Sequence, residues 1–167
     1  MTDFLPDWFV PGFQADVEDT ICDYFDWLTA GEVKTFTWLP PGYYDPASGQ
    51  GTQPTLRVWR QPGKADGQLR TDDSLVQIAC ITNKRSTTWE LVEFVRMMMD
   101  DTVIGMLPIP RKDGSTSKIL SSREWLGPQQ VPEQFIDEKF VPVTFMLRTR
   151  EARFQPDYRQ ILMSLPT

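Results

Sequence analysis

The chain of 167 residues contains no histidine. That removes the commonest general base, the commonest metal ligand and every Ser-His or Cys-His catalytic pair. Only two cysteines are present, Cys22 and Cys80. They lack a CxxC spacing and fall in an amphipathic stretch and an apolar stretch, so they read as small buried hydrophobes, not a disulfide or a redox pair. No run of about 18 apolar residues exists to cross a bilayer. The start, Met1-Thr2-Asp3-Phe4, lacks a charged-then-apolar leader pattern, and the expectation is a soluble chain that stays in the cytoplasm where it is made. Basic residues are outnumbered, 17 Lys and Arg against 23 Asp and Glu, for a net charge of −6. Such a balance argues against a general phosphate-binding surface, which needs clustered cations.

What the chain does have is 14 prolines, 6 tryptophans and an ordinary 40% hydrophobic fraction. Its length fits one domain, burying roughly 70% of the unfolded surface. The most informative stretch runs from Ser74 to Thr102. Leu75 to Ile81 is apolar on both alternating faces and predicts a strand covered from both sides. A helix follows, with Thr87 and Glu90 placed as a capping box. Leu91, Val92, Val95, Met98 and Met99 share one stripe, while Trp89 and Met97 fall off it.

Four further segments carry structure. Phe13 to Ala30 gathers Phe13, Val17, Ile21, Tyr24, Phe25 and Leu28 on one helical arc, sets Asp16, Asp19, Asp23 and Asp26 on another, and meets a C-cap at Gly31. The four aspartates spread over about 15 Å of helix without the glycine-punctuated spacing of a calcium loop. They read as a solvated face or as the acidic lining of a pore or interface. Val33 to Leu39 and Thr55 to Arg60 predict strands, with Pro62 to Gly67 as a hairpin back to the Leu75 strand. Phe140 to Arg150 alternates Val141, Val143, Phe145 and Leu147 with Pro142, Thr144, Met146 and Arg148, and Pro142 places this strand at an edge, or itself near the strand's start.

The remainder is turn-rich. Pro40 to Pro54 and Gly105 to Glu138 read as long loops, and the basic turn Arg111 to Lys118 as a solvated one. The aromatic first twelve residues and the tail from Glu151 are too apolar to be free, and predict docking arms at 1–12 and 151–167 on a single domain spanning 1–167. The expected fold is an α+β sandwich of about four mainly antiparallel strands with two main helices on the sheet. No GxSxG elbow, phosphate loop or spaced carboxylate pair is present, so no catalytic, cofactor or metal site is assigned. The residues by themselves stop at a soluble assembly or binding domain.

The order LRVWRQPG, then SLVQIACITNKRSTTWELVEFVRMMM, then a proline-containing loop and KFVPVTFMLRTR resembles the tail terminator (tail completion) proteins of long-tailed, non-contractile bacteriophages. In that family an N-terminal helix precedes strands, a strand similar to VQI runs into a helix, and the last strand ends in arginine. The likeness covers most of Phe13 to Arg150. It implies a structural virion protein with no cofactor and no membrane partner. The implied assembly is a homo-oligomer, a hexameric ring capping the head-proximal end of the tail tube. Its partners would be the tube protein and a head-completion or neck protein, with DNA passing through the channel unbound. A head-tail connector or tube subunit is the alternative within the same virion, and a small enzyme or regulator the alternative outside it. On the ring reading Trp89, Arg96, Arg148 and Arg150 are the candidate subunit-interface residues, since tryptophan and arginine dominate interface energetics. The Asp16, Asp19, Asp23, Asp26 stripe is the candidate pore lining.

Overall fold

The computed structural model describes residues 5–9, 16–43, 53–66, 69–129, 140–150 and 156–165. Phe4, Val10, Phe13 and Phe154, with most of the Pro40 to Pro54 loop and the end of the Gly105 to Glu138 stretch, lie outside them.

The first helix, α1 (Val17–Leu28), opens where Asp16 accepts the Asp19 amide 3.1 Å away. Its predicted apolar arc is buried at Val17, Ile21, Tyr24 and Phe25. At its other end Ala30 (φ 50°) takes the left-handed turn with Gly31 (φ 79°) beyond it. The Gly31 amide donates to the Asp26 carbonyl and Ala30 to Trp27, satisfying two terminal carbonyls.

Five strands follow in one mixed sheet of order β1-β2-β3-β7-β6: β1 (Lys34–Phe36), β2 (Thr55–Asp66), β3 (Thr71–Ile81), β6 (Ile119–Leu126) and β7 (Phe140–Arg150). Between β3 and β6 come α2 (Arg85–Met98), α3 (Asp101–Ile104) and a two-stranded hairpin, β4 (Ile109–Pro110) with β5 (Thr116–Ser117). Near the C-terminus lies α4 (Tyr158–Met163). The α+β sandwich stands, with five strands in the main sheet where four were expected, and with β1 parallel to β2 while all other pairs are antiparallel.

Strand alternation decides the layers. Leu56 and Val58 on β2, Val76, Ile78 and Cys80 on β3, and Val141, Val143, Phe145 and Leu147 on β7 all turn to one face, where α1, α2 and α3 cover them in a single core. Leu91, Val92, Val95 and Met99 supply the α2 side of that core, as the stripe predicts. On the opposite face Ala79 and Ile81 are buried, but Leu75 and Gln77 are only half-buried, so the two-sided cover expected of β3 holds at its C-terminal end alone.

Three local expectations need correction, and a fourth, open between two alternatives, is decided. The turn predicted at Pro62 to Gly67 is strand: β2 runs on to Asp66, and Gly63 sits at a bulge so tight that a Cβ there would lie 2.3 Å from the Asp73 carbonyl oxygen. Of the two places open to Pro142 the second holds: it is the third residue of β7, a strand flanked by β3 and β6. Pro142 is tolerated since the last β6 pairing is Leu126 with Thr144, and the Pro142 carbonyl accepts Gln129 from beyond that ladder end; its missing N–H therefore costs no strand hydrogen bond. The Thr87–Glu90 box is not formed. The helix begins earlier, at Arg85, and the Thr82 and Thr88 hydroxyls, 2.8 Å apart, both bond the Lys84 carbonyl. Finally, Gly105 to Glu138 is not one irregular stretch: within it β6 pairs along β7.

Candidate assembly surfaces

The four interface candidates fall on two opposite sides of the fold. Trp89 is 38% exposed on the outer side of α2, and Met97, also off the core stripe, is 59% exposed. Arg96 leans from the same helix to the sheet margin, where its Nε and Nη2 donate to Glu124 of β6 at 2.7 and 3.2 Å; the Glu124 carboxylate raises its pKa. Arg148 and Arg150 instead project from β7 on the sheet face without helices, in register with Asp73 and Thr71. Arg148 grips Asp73 through both carboxylate oxygens at 2.6 and 2.7 Å, holding that carboxyl below the usual carboxylate range. Arg150 is exposed.

The helix-free face carries the larger aromatic load. Trp38 is 80% exposed, and the Arg57 guanidinium lies 6.0 Å from its ring centre and 4.8 Å from that of Trp59. Trp59 in turn stacks on Phe140 at 6.2 Å. At the far margin Arg123 lies 5.4 Å from the Trp125 ring. Cation–π contacts of this kind orient arginine without neutralising it. The Arg57 Nε is buried and has no hydrogen-bond acceptor among the described residues. Alternation along TLRVWR sets Arg57 and Trp59 on the face opposite Leu56 and Val58; the partnership with Trp38 has no spacing signal.

The aspartate stripe is divided. Asp16 is spent as the α1 cap and Asp19 is exposed. Asp23 is buried and bound by Arg111 Nε at 2.9 Å, with Lys112 Nζ at 3.6 Å from its other oxygen. Asp26 takes Lys112 Nζ at 2.7 Å and the Thr35 hydroxyl, also 2.7 Å away, and that carboxylate raises the Lys112 pKa. The β4–β5 turn is therefore clamped to α1 by ion pairs, one of them enclosed, and is not the solvated loop its composition suggests. Arg111 also reaches the Thr20 hydroxyl.

The two ends of the chain meet. Tyr158 of α4 lies 6.0 Å from the Trp8 ring and 6.1 Å from that of Phe9. Asp157 caps α4 by accepting the Gln160 amide. None of the α4 residues is buried, and Met163 is 71% exposed. Apolar residues that pack on each other yet remain in water mark a surface made to be covered.

Among the described residues no three carboxylate or thiol side chains gather into a metal-binding group, and no helix is long and apolar enough to cross a membrane. Burial pushes the Cys22 thiol up to about 12 and Cys80 higher still, so neither is a nucleophile near neutral pH.

A family model described as phage tail termination protein matches residues 14–156, from the start of α1 to just past β7. The chain belongs to the phage tail termination protein family. A comparison with curated proteins finds no match. Membership makes this chain a structural protein of the phage tail. The whole two-layer body falls within the matched span, whereas α4 lies outside it.

Proposed function

We propose that the chain forms a closed ring, six copies in its expected form, that caps the head-proximal end of the tail tube, stops its polymerisation and presents a joining surface to the head-completion or neck protein. The observation that carries this reading is the family match over the entire two-layer body. Three features support it. Candidate interface residues lie on opposite sides of the subunit, as a head-to-tail contact requires. The surplus of carboxylates denies phosphates a foothold, so DNA slides through the channel unbound. The paired ends at 5–9 and 156–165 form an apolar arm outside the core, suited to a tube or neck partner.

Within the ring, Trp89, Arg96, Arg148 and Arg150 contribute to the subunit contact. The exposed part of the aspartate stripe, at the α1 N-terminus, faces the channel, while Asp23 and Asp26 shape that surface by anchoring Arg111 and Lys112. Mass measurement of the purified protein tests the ring. The expected species is a hexamer, or a monomer that becomes hexameric only on tail tubes; a stable dimer in both settings contradicts the proposal.

A further inference from the structure

The main sheet ends in two edges, and the chain blocks parts of both. Where β2 runs on past β1, the outward amide of Arg60 donates to the Glu18 carboxylate of α1, and Pro62 has no amide to offer. At the start of β6 the Ser122 amide donates to the Asp101 carboxylate at 2.8 Å, and the Ile119 carbonyl accepts the Met106 amide at 2.7 Å. Blocks of this kind keep an edge from adding a stray strand. Two stretches carry none: among the described residues no hydrogen bond reaches the outer backbone of β6 from Arg123 to Leu126, or the outer backbone of β1. The open end of β6 also carries apolar side chains, Trp125 49% and Leu126 55% exposed.

The two open stretches match. Amides point alternately to the two sides of a strand, so Glu124, two residues beyond the outward Ser122, also points out. On β1 the Lys34 amide turns inward to the Pro54 carbonyl at 2.9 Å, which leaves the Thr35 amide outward. Glu124 and Thr35 both set their side chains on the helix side, where they bond Arg96 and Asp26. Direction fits as well. Strand β1 is parallel to β2 and every further pair is antiparallel, so β1 and β6 run opposite ways.

We infer that β6 of one copy pairs antiparallel with β1 of the next, Glu124 opposite Thr35, so that one sheet continues from subunit to subunit. The inference rests on the ring reading and specifies its interface. Rotation about an axis along the strands brings these two different edges together, keeps the helices of every copy on the same side, and repeats until the ring closes. On the helix-free face the pairing sets Arg123 against Phe36 and Lys34 beside Trp125, cation against aromatic. Two β6 edges joined to each other would instead set Glu124 against Glu124, and like charges directly opposite disfavour such a symmetric dimer.

Proline tests it, because at these positions it removes an outward amide and leaves the ladder behind it intact. Glu124→Pro and Thr35→Pro should each show at least roughly a tenfold loss of assembled rings, in solution and on tail tubes, with cooperative melting retained. Glu124→Gln and Thr35→Val keep the amide and should assemble as the wild type does. Proline variants that assemble like the wild type overturn the pairing, as do controls that fail as badly as the prolines. Rings that form normally from Glu124→Pro but no longer cap tubes also overturn it, and give the β6 edge to the tube protein. If a proline variant unfolds, Glu124→Cys with Thr35→Cys in one chain takes its place. Within a copy these positions are four strand spacings apart, about 19 Å; across the pairing their Cα atoms come to about 5.5 Å, within disulfide reach. Oxidised assemblies should then run on a denaturing gel as a ladder of linked copies, which neither cysteine alone produces. Assemblies without that ladder, or Glu124→Cys alone linked into dimers, overturn the pairing. Should the wild type neither form rings nor cap tubes, the ring reading itself falls and this inference with it; wild-type rings alongside unaffected variants remove only the inference.

Discussion

Replacing Asp23 with alanine is expected to destabilise the chain by about 3–5 kcal/mol, the cost of leaving one partner of an enclosed ion pair without the other. Asp23 and Arg111 have side chains only 8% and 14% exposed. Without the carboxylate, the Arg111 guanidinium would stay half-trapped between α1 and the β4–β5 turn, with the Thr20 hydroxyl as a weak substitute. Lys112 keeps Asp26, but at 71% exposure that pair is screened and contributes little. Urea unfolding should show the loss as a lower midpoint at unchanged slope. The double change Asp23→Leu with Arg111→Met should recover most of it, since removing both charges removes the desolvation cost as well. A single variant as stable as the wild type would show that the clamp contributes nothing.

The second large effect is expected at Phe145. It sits on β7 opposite Val76, one of the most deeply buried large side chains, under the helices at the middle of the sheet. Phe145→Ala should cost about 3–5 kcal/mol through lost burial and the cavity left behind. Thermal melting should report it as a lowered midpoint, and ring formation should fall in proportion to the unfolded fraction. Trp38→Ala, by contrast, removes an 80% exposed ring and should leave the melting point near that of the wild type. A comparable loss from both changes would mean that the face carrying Trp38 is already covered within the subunit.

Which of these features could be read from the chain follows from the range of the interactions. Strand β7 was legible to its ends because apolar residues alternate strictly from Val141 to Leu147, and the α2 stripe because its core residues recur at helical spacing. Strand β6 was not. ILSSREWL buries only Ile119 and Ser122, and the buried serine is held by a hydrogen bond to the Met99 carbonyl that no hydrophobic pattern reveals. Its pairing partner also lies beyond a stretch of intervening chain, so no hairpin signal joins the two. The start of α2 was misplaced for a similar reason: no side chain caps it, and the Thr82 and Thr88 hydroxyls instead donate to the carbonyl of Lys84, the residue at its N-terminal boundary.

The candidate surfaces divide the same way. Off-stripe Trp89 and the alternation of Arg148 and Arg150 away from the core were visible as periodicity, and the structure puts all three on the outside. The pairing of Lys112 with Asp23 joins residues 89 apart in the chain, and neither it nor that of Arg111 could be read from spacing. Nor could the convergence of Trp38 on Arg57, which depends on the parallel return of β1 beside β2. The family likeness supplied what local physics could not, namely that this small α+β body belongs to a phage tail.

The central claim is that this chain ends tube growth. Tail tubes assembled from purified tube protein in its absence should lengthen when more tube protein is supplied. With the chain added first, growth should halt, and electron microscopy should show a ring of density at one end of each tube. Continued lengthening of tubes that already carry the protein would contradict the account.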